Sequence, residues 1–275
     1  MVIAGGPFRL YSSDDLQNWK VEYTNPDDYT ECPDLYPIKA DDGKIKWIFV
    51  GSKEFPGRKR FYKVGEFKKV GENWKYIIDK EFESFEGTTS FGKDAYASMT
   101  YYVQDFGTEA NPTLPEIVEL NWMSSWEYSK ILAKNLKQDY AGTFSLNLKL
   151  GLIKKDGMYQ LTETPIKKYE ELRIKNKAKK YKNKTLTEKN TLLKNFKGEL
   201  YEIIAKFRPS EGTKKIGFRL RTGGKEKTLV YYDNENQKIV IDRSKSGVIL
   251  NEMFRDVDSR DMKLNEDGTV DMHIF

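Results

Sequence analysis

Over roughly the first 155 residues, apolar positions come in short runs rich in aromatic and β-branched side chains. Charged and turn-forming residues separate them. The clearest runs are 8–11, 46–50, 60–64, 95–102 and 117–122, and each predicts a β-strand. Turn chemistry divides them at Asp41-Asp42-Gly43, Pro56-Gly57 and Asp156-Gly157. Helical periodicity is nearly absent. Short, evenly spaced strands with such turns suit a propeller or a sandwich. The sequence Ser12-Ser13-Asp14-Asp15-Leu16 running to Trp19 after a strand favours a propeller, although no clean internal repeat is present.

Near Leu161-Thr162-Glu163-Thr164-Pro165-Ile166 the texture changes. A basic stretch follows, with a helical turn expected over 169–173. Strands are then expected over 200–207, 215–220, 228–232 and 238–242. Alternation is cleaner here, as in Ile216-Gly217-Phe218-Arg219-Leu220, so one face is apolar and the other polar. That pattern fits an antiparallel sandwich. The predicted fold is therefore all-β: part of a propeller over 1–160, then a β-sandwich over 161–275. Both ends of the chain read as strands in progress, through Val2-Ile3 and Val270-Asp271-Met272-His273-Ile274. Natural termini are more often polar and frayed, so the chain is expected to be a piece of a longer protein, the sandwich included. No signal-peptide pattern stands at the opening, and the compartment is left open.

Composition narrows the classes. Of 275 residues, 38% are hydrophobic and 13% aromatic, enough for real cores and too many for a disordered chain. No uncharged apolar run approaches the ~18 residues of a membrane span, and no membrane partner is expected. The net charge of +5 is concentrated. Residues 167–184 hold nine Lys/Arg against two Glu, a local +7 that leaves the remainder at −2. Tyr169 and Tyr181 are the only aromatics in that run, so a solvated face is expected there and no nucleic-acid partner. A single cysteine, Cys32, excludes an internal disulfide. With a single histidine, His273, it also argues against the usual zinc sites and a Ser-His-Asp enzyme. Neither a metal nor another cofactor is expected.

The most informative string is Glu31-Cys32-Pro33-Asp34, followed by Leu35-Tyr36-Pro37-Ile38. Pro33 lacks an N–H and fixes its own φ, so Glu31 is expected at a strand entrance, outside a paired ladder. A carboxyl group on the floor of an apolar cleft stays protonated towards neutrality, because burial penalises its charge, and so serves as a general acid. A solvated loop glutamate is the alternative.

Glu31-Cys32-Pro33-Asp34 resembles the Glu-Cys-Pro-Asp motif of glycoside hydrolase family 32, the invertases, levanases and inulinases. Four further segments agree in the family's order. Phe8 to Trp19 resembles its Ser-Ser-Asp-Leu strand and turn. Phe91-Gly92-Lys93-Asp94-Ala95-Tyr96-Ala97 is similar to its Gly-x-Asp-x-Tyr-Ala strand. Trp122-Met123-Ser124-Ser125-Trp126 is similar to its Trp-Met-Ser-Asn-Trp segment. Ile241-Asp242-Arg243-Ser244, with Asp271 to Phe275, resembles its C-terminal sandwich. The resemblance implies a five-bladed propeller joined to a sandwich, and a retaining β-fructosidase acting on terminal fructosyl units of sucrose or fructan. It places Glu31 at the acid/base position. Members of the family are often secreted.

The departures are specific. The family's nucleophile lies in an Asn-Asp-Pro-Asn-Gly string and its transition-state stabiliser in an Arg-Asp-Pro string, and neither occurs here. Arg255-Asp256 and Arg260-Asp261 continue with Val257 and Met262 and lie in the sandwich half. Both missing strings precede, in the family, the strand on which this chain opens. The expected partner is therefore the missing N-terminal propeller part of the same protein, and the isolated chain is expected to be inactive. The family's Trp-Arg-Gly reads here as Tyr140-Ala141-Gly142. Candidate substrate-binding residues are Trp126, Trp122 and Asp34. The tryptophans could equally pack between blades, and Asp34 could cap a turn. A non-catalytic fructan-binding protein is the alternative function.

Overall fold

The computed structural model describes residues 1–4, 8–25, 30–53, 59–108, 110–188, 192–249 and 251–275; the expected turn at Pro56-Gly57 lies outside them. The chain is all-β and divides into two compact units, Met1–Ile166 with Val248–Phe254, and Lys167–Gly247 with Arg255–Phe275.

The first unit holds three antiparallel sheets. Strands β1 (Val2–Ile3), β2 (Phe8–Ser12) and β3 (Lys20–Asn25) form the first in that order. Strands β4 (Glu31–Lys39), β5 (Ile45–Lys53), β6 (Lys59–Val70) and β7 (Asn73–Ile78) form the second, also in sequence order, the up-and-down arrangement of a propeller blade. The third has β8 (Tyr96–Tyr102) on one side of β9 (Ile117–Met123). On the other side lie β10 (Thr143–Phe144) and β11 (Leu148–Lys155), with β12 (Met158–Pro165) beyond.

Local chemistry accounts for the hairpins. Asp156 and Gly157 both have positive φ, +52° and +82°, as a two-residue type I′ turn between Lys155 and Met158 requires. Strand β5 is buried at five successive positions, Ile48 to Ser52, because other sheets cover both of its faces. On one side Phe49 stacks on Phe8 at 4.1 Å, within a cluster with Leu10, Phe61 and Tyr76. On the other, Ile48 and Val50 join Tyr36, Tyr62, Ile117, Leu150 and Leu161 in the larger core between the second and third sheets. At ~25 cal/mol per Å² of buried apolar surface, both interfaces stabilise the unit.

One helix, α1 (Ser129–Leu136), was not predicted. Tyr128 precedes it and makes no side-chain cap, so the usual start signal is missing from the sequence. No helix among the described residues is long and apolar enough to cross a membrane.

The second unit begins with a 3₁₀ turn over Lys167–Leu172, close to the expected helical turn. Its strands are β13 (Ile203–Phe207), β14 (Lys215–Gly223), β15 (Glu226–Asp233), β16 (Lys238–Lys245), β17 (Val257–Asp261) and β18 (Val270–Ile274). Strands β14 to β17 form one sheet in sequence order, and β13 pairs with β18 in another. Phe207, Val270 and Met272 from the two-stranded sheet pack against Phe218, Tyr232 and Ile239 from the four-stranded one. This is the two-layer packing that the alternating pattern predicted.

Candidate active site

Glu31 is the first residue of β4. Contrary to the expectation that it stands outside a ladder, it pairs with Ser52 of β5. The ladder then slips. The next partners are Asp34 and Val50, so three steps on β4 match two on β5. The extra residue makes a β-bulge at Cys32-Pro33, where Cys32 takes a φ of +45°. Pro33 suits a bulge because it has no ladder hydrogen to lose. The bulge turns Glu31 towards β8, where the Tyr96 hydroxyl donates a 2.7 Å hydrogen bond to Glu31 Oε2.

Strand β8 carries a bulge of its own. Tyr96 faces Trp122, and the next pair is Met99 with Leu120, again three steps against two. Ala97 sits in it with a φ of +52°. Its amide donates to Ser52 Oγ at 3.1 Å. Two non-glycine residues in left-handed conformation therefore lie next to the candidate acid and its hydrogen-bond donor. Such residues persist only where their surroundings over-determine them, and they cluster at functional sites.

Glu31, Cys32, Tyr96, Ala97, Thr30 and Trp126 line an open hollow of about 320 Å³. That lies at the lower end of small-molecule sites, roughly 300–1,000 Å³. Trp126 is 51% exposed there, and its ring lies 5.0 Å from that of Trp122. The structure thus brings Glu31 and Trp126 to one hollow. Trp122 stands behind, half-buried, its Nε1 donating to the Ala141 carbonyl at 2.8 Å. Gly142 makes that approach possible: its φ is +85°, and a Cβ there would meet Trp122 Nε1 at 2.4 Å.

Asp34 has both oxygens engaged. Oδ1 accepts from the Leu35 amide at 2.8 Å, and Oδ2 accepts from the Thr100 amide and hydroxyl at 3.0 and 2.5 Å. Its geometry is that of a brace between β4 and β8. Asp94, one residue from the expected strand, accepts from the Tyr128 hydroxyl. Burial, and then the charge of Glu31, push the Cys32 thiol up from its ordinary value, so it is not an activated nucleophile. His273 lies in β18, with Nε2 2.8 Å from Glu202 Oε1. Among the described residues no three His, Cys, Asp or Glu side chains converge as metal ligands.

Sequence reasoning missed Ser52 and the donor role of Tyr96. Tyr96 stood inside a quoted segment, but a tyrosine in an aromatic strand carries no sign of its partner.

The comparisons with known proteins place both halves of the chain in one family. Residues 3–165 match the family model described as Glycosyl hydrolases family 32 N-terminal domain, and residues 168–275 match Glycosyl hydrolases family 32 C terminal. Over its full length the chain is 50% identical to a fructan beta-fructosidase of Streptococcus mutans serotype c (strain ATCC 700610 / UA159), of which it covers 19%. It is 29% identical to a levanase of Bacillus subtilis (strain 168), with 90% of this chain and 36% of that enzyme covered. Among solved structures, the exo-inulinase from Aspergillus awamori superposes with a TM-score of 0.74, at 22% identity, over 98% of this chain and 52% of that one. That likeness shows the fold. The chain spans well under two thirds of each of these relatives.

Proposed function

We propose a β-fructosidase function for this chain, which belongs to glycoside hydrolase family 32. It supplies the acid/base half of a retaining active site that removes terminal β-linked fructosyl units from sucrose or a fructan. The single observation that carries this reading is the placement of Glu31. It is aimed by a bulge into a hollow beside Trp126, with carboxylate oxygen Oε2 accepting from the Tyr96 hydroxyl. Glu31 protonates the departing glycosidic oxygen, then takes a proton from the water that releases the fructosyl group. Trp126 offers an apolar ring face to the sugar. Trp122 holds that ring in place, and Asp34 fixes the distance between β4 and β8.

A retaining mechanism also needs a carboxylate nucleophile on the far side of the scissile bond. The sequence has neither the Asn-Asp-Pro-Asn-Gly nor the Arg-Asp-Pro string. We therefore assign the nucleophile to a propeller segment outside this chain, and expect the 275 residues alone to release no fructose from levan or inulin. Clear release by the isolated chain would overturn that assignment.

The acid role is tested by Glu31→Gln in this chain joined to the preceding segment of the 50%-identical fructan beta-fructosidase. Fructan turnover is expected to fall by about 10²–10⁴, the usual range for a general acid, while substrate binding survives. Unchanged turnover would remove Glu31 from the mechanism. A purely fructan-binding protein would show binding but no turnover even before the substitution.

A further inference from the structure

The geometry points to Arg60 as a positioning residue for Glu31, acting through strand β8. Three residues lie in one row across the second sheet: Glu31 pairs with Ser52, and Ser52 pairs with Arg60. In-register neighbours of a sheet project to the same face. This row grips three successive residues of β8. Glu31 Oε2 accepts from Tyr96, Ser52 Oγ accepts from the Ala97 amide, and Arg60 Nε donates to Ser98 Oγ at 2.5 Å. These are the residues that enter the β8 bulge, where the ladder to β9 slips. Side chains from the neighbouring sheet therefore set the backbone position there.

Arg60 is suited to anchor the row because it is itself immobilised. It is 1% exposed. Its Nη2 donates to Glu119 Oε2 on β9, and its Nη1 donates to Thr89 Oγ1 and, at 2.9 Å, to Glu163 Oε1 on β12. Asn121 Nδ2 holds the other Glu119 oxygen at 3.0 Å. A buried guanidinium is expensive unless all its donors are satisfied in fixed geometry, so the planar fork locks Ser98 relative to β6, β9 and β12 together. Ser98, 1% exposed, transmits that position to Ala97 and Tyr96, and Tyr96 to the carboxylate.

The inference rests on the reading of Glu31 as the acid, but its test needs no turnover. Cys32 is the sole thiol of the chain and lies in the bulge beside Glu31. Its rate of modification by an aromatic disulfide reagent reports local order at that bulge. Two variants each remove one hydroxyl from the same guanidinium: Ser98→Ala on β8, and Thr89→Ala outside it. Labelling is measured for each well below the onset of its own thermal transition, so that global unfolding does not contribute.

Ser98→Ala is expected to speed labelling about tenfold, the scale of one lost buried hydrogen bond. Thr89→Ala is expected to stay within about twofold, since the same scale applies but off the path. Equal rates in the two variants, or no change in Ser98→Ala, would overturn the positioning role. Such a result leaves the acid assignment untouched, while an inert Glu31→Gln substitution removes the acid role and leaves the labelling result standing.

Discussion

Tyr96 and Glu31 stand 65 residues apart in sequence and touch through one 2.7 Å hydrogen bond that joins the second sheet to the third. Each precedes a bulge residue of positive φ, Ala97 and Cys32. Tyr96→Phe keeps the ring and its packing but removes the hydroxyl. In the completed enzyme, fructan turnover is expected to fall about 10- to 100-fold, as for loss of a hydrogen bond to an ionisable group, with little change in substrate affinity. Steady-state kinetics separate the two, and a raised KM at unchanged kcat would assign Tyr96 to binding instead.

Gly142 sets the tryptophan pair. At a φ of +85°, any Cβ is strained, and it would also lie 2.6 Å from Ser124 Cβ. Gly142→Ala is expected to destabilise the first unit by ~1–3 kcal/mol and to shift tryptophan emission as Trp122 moves from the Ala141 carbonyl. Chemical denaturation followed by fluorescence reads both effects. A neutral result would show that the loop yields at no cost.

Arg60 and Glu119 are the most deeply buried ion pair among the described residues, both side chains being 0% exposed. Burial drives the Glu119 carboxyl upward, Arg60 opposes that, and the nearby Glu163 charge adds to it. Arg60→Met leaves the fully buried Glu119 carboxylate without its ion-pair partner and is expected to destabilise by ~3–5 kcal/mol. Adding Glu119→Leu to that variant should restore more than half of the loss, because the stranded charge goes too. Urea unfolding of the two variants checks the order; a double variant weaker than the single one would contradict it.

In the sandwich unit, Glu202 accepts from Arg173 Nε and Nη2 at 2.5 and 2.7 Å and bonds to His273. The Arg173 hydrogen bonds, against some desolvation and with help from His273, lower its carboxyl from 4.5 to about 2. A depressed folded value means that the unfolded chain takes up the proton first. The stabilisation is therefore present above pH 4.5 and is lost as the pH falls towards about 2. Glu202→Gln should flatten the pH dependence of the sandwich transition in that window. Calorimetry of both proteins across it makes the comparison, and parallel curves would rule the contribution out.

Much of this protein was legible in local pattern. Alternation at 216–220 and the aromatic runs at 46–50 and 60–64 declared strands, because a pleated surface buried on one or both faces selects its residues position by position. Asp156-Gly157 declared its hairpin, because a type I′ turn needs two residues tolerant of positive φ. Glu31-Cys32-Pro33-Asp34 marked the candidate acid. What tertiary structure alone decided is who meets whom. The chain gave no sign that Arg60, near the start of β6, meets Ser98 from 38 residues away and Glu163 from 103. Nor did it tell that Asp34 braces Thr100, or that Tyr96 reaches Glu31. Those pairings depend on how bulged strands from different sheets pack. One extra residue in a ladder redirects every side chain beyond it, and that shift has no periodicity to read.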